Sequence, residues 1–583
     1  MYLRTVKVRS TSGALNEYVR VVEAYREGGK VKQRVVADLG RKDLLVEILP
    51  GLQRLLGGDT GQEETPPADP EVVDASTWGP VLALRALFDQ LSLWSILDDS
   101  LGKAKGVPFA DRTFVLVANR LIAPASEHGL AGWLETDFVC DRQGRRFVPH
   151  WHTRRRVRVH PRQSDAWYRT LDQLIAAKDR IELALYRRLR DLFSLKPDLV
   201  LYDITSTYFE GTGPVDFAKH GYSRDGKPHN VQVIVGVVMV AGWPIAHHVW
   251  AGNRIDHGTV QDVVGDLHQR FEFKRLVFVG DRGMVTEANL ESLTKEGQGF
   301  LVGLKRRRDE KLDRWLAAID ESRWIDGPVG INAREQKTNP PRTRAQEVPS
   351  GVPGLRVIVI DSDERRTYEQ AMRQQAMERA RGKLEALKQR VASGDLKKPE
   401  KIGAAAERIM QRYHGYRYYA WELRRGVFEF FESETHLERE ERIEGRYVIA
   451  TSEQDLDVSD AVAMYKDLTD VEQGFRQLKD VLALRPIYHQ IENRVRAHIF
   501  VAALALLVQR LLDRRLEGAA VDLSPARAMQ ALSTVRLVTF RLGSQPERRG
   551  ISGGSPDARR GLKALKLVDL HPPSPPEGEK TVM

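Results

Sequence analysis

Between residues 199 and 304, short apolar runs alternate with amphipathic stretches. Runs rich in Val, Ile and Leu are typical of buried strands, and apolar positions that repeat every three or four residues are typical of helices. The pattern predicts helices over residues 259–271 and 286–295, and strands over residues 199–202, 231–240, 245–250, 276–279 and 300–304. Three strands followed by helix, strand, helix and strand form a mixed α/β sheet.

The pattern changes on both sides of this sheet. Two Val- and Tyr-rich runs around Gly28 and Gly29 predict a hairpin, and a charge-rich stretch after residue 305 interrupts the α/β pattern. We therefore divide the chain into an N-terminal β-rich unit (1–56), a linker (57–77), a helical region (78–192), the first part of the α/β core (193–305), an insertion domain (306–445), the second part of the core (446–515), and a C-terminal helical region with a disordered tail (516–583).

Composition and length fit a large protein of several domains. The 583 residues are 42% hydrophobic and 29% charged, which is ordinary for globular proteins. A single cysteine, Cys140, excludes a disulfide framework and any multi-cysteine zinc or iron–sulfur site. The longest apolar run, residues 500–508, is much shorter than the roughly 20 residues that cross a bilayer. We expect a cytoplasmic protein with no membrane partner.

The net charge of +10 is unevenly distributed. Residues 142–162 contain eight arginines and no acidic residue, and a second basic cluster follows the last core strand. Arginine binds phosphates through two parallel hydrogen bonds, so both clusters are candidate DNA contacts, although a solvated surface is the alternative for each. The candidate residues are Arg154, Arg155, Arg156, Arg158, Lys305 and Arg306.

Three acids form a second candidate group. Asp203 and Asp281 each follow a predicted strand, so their carboxylates converge if those strands are neighbours. Glu472 lies on a predicted helix beyond the insertion. Three oxygen ligands suit Mg²⁺, and two such ions would activate water or a 3′-hydroxyl in phosphodiester chemistry. A structural role is the alternative for each acid taken alone.

The helix predicted over residues 458–480 carries more polar candidates. Tyr465, Glu472 and Lys479 are spaced by seven residues, which places them on one stripe of an ideal α-helix. Such a stripe could follow a DNA strand, with the acid on metal and the other two side chains on phosphates. Arg476 lies one turn after Glu472 and could join them. A solvated amphipathic face is the alternative.

These residues resemble a known signature. The order Asp203, Asp281 and Glu472, with Tyr465 and Lys479 at their spacing, resembles the DDE transposases of bacterial insertion sequences, specifically the IS-four superfamily. The contexts YDITSTYFEG, GDRGM and GYSRDGKPHNVQV are also similar to that family, and the resemblance covers about residues 1–545. The signature arginine position is Leu468 here, so Lys466 or Arg476 would have to make its phosphate contact.

The resemblance implies a fold, an activity and partners. The core would be RNase H-like, and the three acids would hold two Mg²⁺ ions, which Mn²⁺ could replace. The enzyme would cleave the ends of its own element and join the 3′-hydroxyls to target DNA. Residues 142–162 and the helices before them would bind the double-stranded terminal inverted repeats, and Tyr465 and Lys479 would position neighbouring phosphates.

Family members work as dimers across paired DNA ends, so the resemblance also implies a homodimer in the DNA complex, in the nucleoid of a bacterial cytoplasm. Two alternatives remain open from the sequence. The first is an RNase H-like DNA nuclease that cleaves without strand transfer. The second is an inactive DNA-binding repressor derived from a transposase, although the three intact acids argue against it.

Overall fold

The computed structural model describes residues 1–583 except 10–14, 28–29, 47–48, 50–69, 149–160, 196–198, 255–256, 274–275, 281–286, 296, 305–309, 328–341, 579–580 and 583. The N-terminal part is a three-stranded antiparallel sheet in which the middle strand pairs with both others. Its strands are β1 (Tyr2–Arg9), β2 (Leu15–Glu27) and β3 (Lys30–Arg41). The expected hairpin is confirmed, because β2 and β3 pair as far as Glu27 opposite Lys30.

A mainly helical region follows, as the apolar periodicity predicts. Its elements are β4 (Pro70–Thr77), α1 (Gly79–Gln90), α2 (Leu93–Ser100), α3 (Phe109–Ile122), α4 (Leu130–Thr136), β5 (Arg146–Phe147), α5 (Pro161–Ala176) and α6 (Lys178–Phe193). Large side chains, Phe88, Trp94 and Phe114, are buried where the first three helices meet. This region packs directly on the central sheet rather than standing apart from it.

Within the described residues, nine strands form one mixed sheet at the centre. They are β6 (Leu199–Tyr208), β7 (Gln232–Val240), β8 (Trp243–Ala251), β9 (Val277–Gly280), β10 (Gly299–Gly303), β11 (Ile325–Asp326), β12 (Thr343–Val348), β13 (Arg356–Ser362) and β16 (Arg446–Thr451). Their order is β11–β12–β13–β16–β10–β9–β6–β7–β8. Strands β6, β9 and β10 are parallel, and the other neighbouring pairs are antiparallel. The predicted mixed α/β sheet is confirmed.

The connections in the first part of this sheet include the helices α7 (His257–Phe271) and α8 (Glu287–Lys295). Every residue of β7 is buried, which explains why its sequence, QVIVGVVMV, is a continuous apolar run rather than an alternating one. The predicted bounds of β7 and α7 differ from the observed ones by no more than two residues.

The span from residue 306 to 445, expected as an insertion domain, contributes to two cores. Strands β11, β12 and β13 extend the central sheet, and α9 (Glu310–Ala317) and α12 (Glu434–Ile443) pack on it around Trp315 and Val357. A separate core lies between α10 (Asp363–Ala392), α11 (Pro399–Arg412) and a hairpin of β14 (Tyr419–Arg424) and β15 (Val427–Glu432). The inserted span thus contributes strands and helices to the central sheet and also has a core of its own.

The second part of the core continues after β16 with α13 (Val458–Lys466), α14 (Leu468–Arg476) and α15 (Glu492–Gly518). Helix α15 packs against α3, α5 and β8. It is long and apolar enough to span a bilayer, and a bent pair, α1 with α2, also passes that test of length and composition. Since 83% of the apolar window in α15 is buried inside the protein, we interpret it as a core helix.

Two expectations at the edges of the chain are wrong. Residues 70–77, assigned to a linker, form β4, which pairs with the C-terminal strand β17 (Arg536–Leu542). The tail expected to be disordered ends in β19 (Thr581–Val582), which pairs in parallel with β5. Both cases depend on a partner strand that is remote in sequence. The other C-terminal elements are α16 (Pro525–Leu532), β18 (Arg548–Ile551) and α17 (Pro556–Ala564).

Candidate active site

A cavity of about 620 Å³ opens beside the central sheet. Its lining includes Asp203 from β6, Tyr465 from α13 and Glu472 from α14. Two of the three expected acids and the expected tyrosine therefore share one space, although the inserted span separates them in sequence. Sequence separation says little about distance in this fold.

Asp203 lies in the middle of β6, so the expectation that it ends its strand is wrong. The parallel pairing of β6 with β9 covers Leu199–Leu201 only, whereas the antiparallel pairing with β7 continues to Tyr208. Asp203 is half-buried, and its Oδ1 accepts a hydrogen bond from the backbone N–H of Ile204 at 2.7 Å. The carboxylate thus lies just beyond the point where β6 loses its parallel neighbour.

The predicted helix over residues 458–480 is divided into three segments. Helices α13 and α14 meet at a turn at Asp467, and Gln477–Val481 form a π-helical turn. Val471 and Phe475 bury one face of α14 against the core, and Glu472 is exposed at the side of that face. Because a π-turn holds more residues than an α-turn, the seven-residue stripe of an ideal helix is not maintained as far as position 479.

Lys479 lies in an ion pair next to this helix. Its Nζ donates to Asp225 Oδ1 at 2.7 Å, and the guanidinium of Arg485 also contacts that carboxylate. Only 10% of the Lys479 side chain is exposed, and burial lowers the pKa of its ammonium despite the opposing effect of Asp225. Arg476, one turn after Glu472, is exposed.

The remaining predicted site residues lie outside the described residues. They are Asp281, Arg154, Arg155, Arg156, Arg158, Lys305 and Arg306. The described strand β9 ends at Gly280, the residue before Asp281.

The cavity also has lining residues that the sequence did not single out. The first two turns of α10 contribute Glu364, Arg365 and Tyr368, and β16 contributes Tyr447. Lys466, considered in the sequence only as a replacement for an arginine, lines it too. No local pattern marks Arg365, which belongs to the span predicted as an insertion domain, or Tyr447, which lies in the second part of the core. Only the three-dimensional pairing of β13 with β16 brings that span to the cavity.

The donor set of this cavity fits a hard divalent cation. Asp203 and Glu472 offer carboxylate oxygens, which Mg²⁺ and Mn²⁺ prefer, and the described lining contains no histidine or cysteine. The position of Glu472 on an exposed helix face leaves room for water and for a large substrate on the same side.

A second group of ligand-type side chains is part of the packed core. Ligand atoms of Glu127, His489 and His498 lie within 4.8 Å of one another. His498 already has a partner at each ring nitrogen, Arg120 at 2.9 Å and the carbonyl oxygen of Leu484 at 3.1 Å. Burial and the Arg120 guanidinium hold the pKa of His498 well below its ordinary value. We therefore interpret this group as a structural ion-pair network rather than a metal site.

Comparison with known families places these residues in context. A model of the transposase DDE domain matches residues 195–508, which is more than half of the chain and includes Asp203 and Glu472. The chain belongs to the DDE transposase family. The N-terminal domain of IS1634 family transposases matches residues 3–66, so the protein is a DDE transposase of a bacterial insertion sequence. No curated protein matches the chain.

Solved transposase structures resemble the protein only weakly. The piggyBac transposase in a synaptic complex with hairpin DNA has a TM-score of 0.37 and 9% identity, over 80% of this chain and 82% of that one. The Mos1 transposase paired-end complex with the left transposon end has a TM-score of 0.14 and 15% identity, over 44% and 66%. Such scores carry no argument about this transposase beyond the family match.

Proposed function

We propose that this DDE transposase cleaves the terminal inverted repeats of its own insertion sequence and joins the freed 3′-hydroxyls to target DNA. The observation that carries the proposal is the shared cavity of Asp203 and Glu472, which lies within the part matched by the transposase DDE domain. The same cavity has an open side that can admit a DNA strand, because Glu472 and Tyr368 are exposed there.

The finer assignment of the core as RNase H-like is supported by strand order. The series β8–β7–β6–β9–β10 has three antiparallel strands followed by two that are parallel to β6, as the resemblance implies. Asp203 lies on the central strand of this series, and Asp281 follows the adjacent strand in sequence. We propose Asp203, Asp281 and Glu472 as the catalytic acids.

The three acids would hold two Mg²⁺ ions, or Mn²⁺ in their place. The ions would supply activation of water or of a 3′-hydroxyl and stabilisation of the leaving oxygen. The chain itself would orient the metal-binding groups: the backbone N–H of Ile204 fixes one oxygen of Asp203, and α14 presents Glu472 from a helix packed on β6. Rigid placement of this kind is what phosphoryl chemistry requires of a protein.

The proposed DNA contacts fall into two groups. Tyr465, Arg476 and Lys479 lie along the segments that carry Glu472, so they would act on phosphates near the cleaved bond. Residues 142–162 with Arg154, Arg155, Arg156 and Arg158, and the pair Lys305 and Arg306, would bind the double-stranded repeats and the target. We further propose a homodimer in the DNA complex and a location at the bacterial nucleoid.

The test is cleavage of a duplex that carries the terminal repeat flanking the gene, with Mg²⁺ present. Asp203→Asn removes one ligand charge and leaves the basic contacts, so we expect cleavage to fall by about 100-fold or more, since weaker changes around metal sites already cost about 10- to 100-fold. Binding of the duplex should stay unchanged. Asp216→Asn, which changes a fully exposed acid in the same part of the chain, is the control.

The cleaved products also separate this proposal from a nuclease without strand transfer. Joining of labelled 3′ ends to a target plasmid supports the transposase, whereas cut ends that never join support the nuclease. Normal cleavage by the Asp203→Asn variant would overturn the assignment of the active site.

A further inference from the structure

Two cationic side chains face the cavity among its described lining residues, Lys466 and Arg365. Lys466 is half-buried, and its Nζ donates to Thr343 Oγ1 of β12 at 3.0 Å. Burial lowers the pKa of this ammonium, and Glu364 opposes that effect. Lys466 is therefore engaged with the sheet, and Arg365 is the better placed of the two cations for an anionic ligand.

Arg365 comes from the inserted span, and it contacts its own helix and strand β16 of the core. It lies in the first turn of α10, whose N-terminus is capped by the side chain of Ser362. Its guanidinium lies over the ring of Tyr447, 5.0 Å from the centroid, and Nε donates to Glu369 Oε1 at 3.0 Å. With 35% of its side chain exposed, the guanidinium is held in place and still open to the cavity.

The Tyr447 ring continues this arrangement toward the active-site helices. Its centroid lies 6.0 Å from that of Tyr465, with an angle of 34° between the ring planes. Arg365, Tyr447 and Tyr465 thus form one stack from α10 through β16 to α13. The last member lies on the helix that precedes the one carrying Glu472, so the stack connects the guanidinium to the segments that carry the candidate site.

A phosphodiester strand in this cavity needs a cation of the protein's own. The metal ions would offset the charges of Asp203 and Glu472, but Glu364 also lines the cavity and repels a phosphate, so a cation of the protein is needed to bind one. Leu468, about one helical turn before Glu472 on α14, is buried and supplies no charge. A planar guanidinium forms two parallel hydrogen bonds to a phosphate and keeps its charge, so it suits this task better than an ammonium.

We propose that Arg365 binds the DNA backbone phosphate next to the cleaved bond, and that the Tyr447–Tyr465 stack positions it there. The inference rests on the proposed function of the Asp203 and Glu472 cavity and names a residue of the inserted span as part of its DNA-binding surface. The span therefore takes part in strand positioning in addition to packing on the sheet.

The first test compares Arg365→Ala with Arg365→Lys in the full-length protein, with the terminal-repeat duplex and Mg²⁺. We expect cleavage by the alanine variant to fall about 100-fold, the size of effect that loss of one charge-stabilising donor produces. The lysine variant should recover part of that loss. Arg379→Ala removes the same charge from an exposed position of the same helix and should cleave normally.

The second test replaces single phosphates around the cleaved bond by neutral methylphosphonates. At one phosphate position, the replacement should slow cleavage by the wild-type protein. It should not slow cleavage by Arg365→Ala any further, because both changes remove the same contact. Equal slowing of both proteins at every position would overturn the inference. Thermal melting of each variant shows whether a lost activity reflects a lost fold.

The outcome also separates this inference from the proposed function. If Asp203→Asn cleaves normally, the active-site assignment fails and the inference fails with it. If Asp203→Asn is inactive and Arg365→Ala cleaves at the wild-type rate, the inference alone fails.

Discussion

Asp225 shares one carboxylate between two cations, Lys479 and Arg485. Only 3% of its side chain is exposed, and within the described residues its Oδ2 has no hydrogen-bond partner. The stability of this group therefore depends on charge pairing, and removal of the anion leaves two cations close together in a poorly solvated place. The proposed role of Lys479 at DNA would have to operate from within this ion pair.

Asp225→Asn should lower the free energy of unfolding by about 3 kcal/mol, since loss of one partner from a buried ion pair typically costs that much. Urea unfolding followed by tryptophan fluorescence measures it. Asp480→Asn is the matched control, because Asp480 also pairs with Arg485, at 2.7 Å, but its side chain is 55% exposed. That change should cost no more than about 1 kcal/mol. Equal losses for the two variants would contradict the prediction.

Strand β7 packs closely against its neighbours at Gly236, which pairs with Ile204 next to Asp203. A Cβ atom built at Gly236 would lie 2.8 Å from the Trp250 ring and 2.9 Å from the Tyr202 ring. The Tyr202 ring is constrained because it is fully buried and packs at an angle on Phe278, and the Trp250 ring donates a hydrogen bond to Asp262 at 2.9 Å. The absence of a side chain at position 236 thus leaves room for the two rings beside the strand that carries Asp203.

Gly236→Ala should destabilise the protein by about 1–3 kcal/mol, because overpacking forces the two rings out of their places. Gly265→Ala is the control: Gly265 is an exposed position of α7, and a Cβ there meets no atom within 4 Å. This second change should stabilise the protein by about 0.5–1 kcal/mol, the usual gain for alanine over glycine in a helix. Chemical unfolding of both variants measures the difference, and a neutral Gly236→Ala would disprove the packing argument.

The elements were predictable from the sequence where burial is uniform. The apolar run of β7 and the periodicity of α7 predict the ends of these two elements to within two residues, because the residue pattern of each element reflects its own burial. Strand partners were not predictable in the same way. The pairing of β4 with β17, and the extension of the sheet by β11, β12 and β13, depend on contacts between segments far apart in sequence.

The same limit applies to the candidate site. Asp203, Tyr465 and Glu472 were identifiable because their spacing resembles a family signature, and they do line one cavity. Arg365 and Tyr447 lie in no motif, so only the fold reveals them. The π-turn after α14 was also not predictable, since apolar positions at Leu478 and Leu482 fit an ordinary helix equally well.

At the scale of the whole molecule, a buried ion cluster joins the helical region to the central sheet. Glu182 of α6 accepts hydrogen bonds from both the backbone N–H and Nδ1 of His247 in β8, at 3.1 and 2.7 Å. Lys178 and Arg270 contact the other oxygen of Glu182, the latter from α7. These contacts join α6 and α7 to strand β8 of the central sheet. The charge state of the four side chains therefore affects the stability of the whole protein.

The stability of this junction should depend on pH. Burial, with the nearby Lys178 ammonium, lowers the pKa of His247 from 6.5 to about 4, and within the described residues its buried Nε2 has no hydrogen-bond partner for an added proton. As the pH falls through the unfolded value, the unfolded chain binds a proton at this residue that the folded protein does not, so acid favours unfolding. The Glu182 pKa lies well below its ordinary value in the folded protein. Protonation of this carboxyl in the unfolded chain therefore also favours unfolding, at a pH lower than that at which His247 acts.

Between about pH 7 and about pH 5, His247 alone should therefore cost the wild-type protein about 2 kcal/mol of unfolding free energy. The variant His247→Gln cannot bind this proton. Between pH 7 and pH 5 its unfolding free energy should therefore fall by about 2 kcal/mol less than that of the wild type, whatever its stability at neutral pH. His571→Gln, at a position with 73% side-chain exposure, should retain the wild-type dependence. Urea unfolding at several pH values measures all three proteins. Parallel curves for the wild type and His247→Gln would mean that this histidine does not remain neutral in the folded protein.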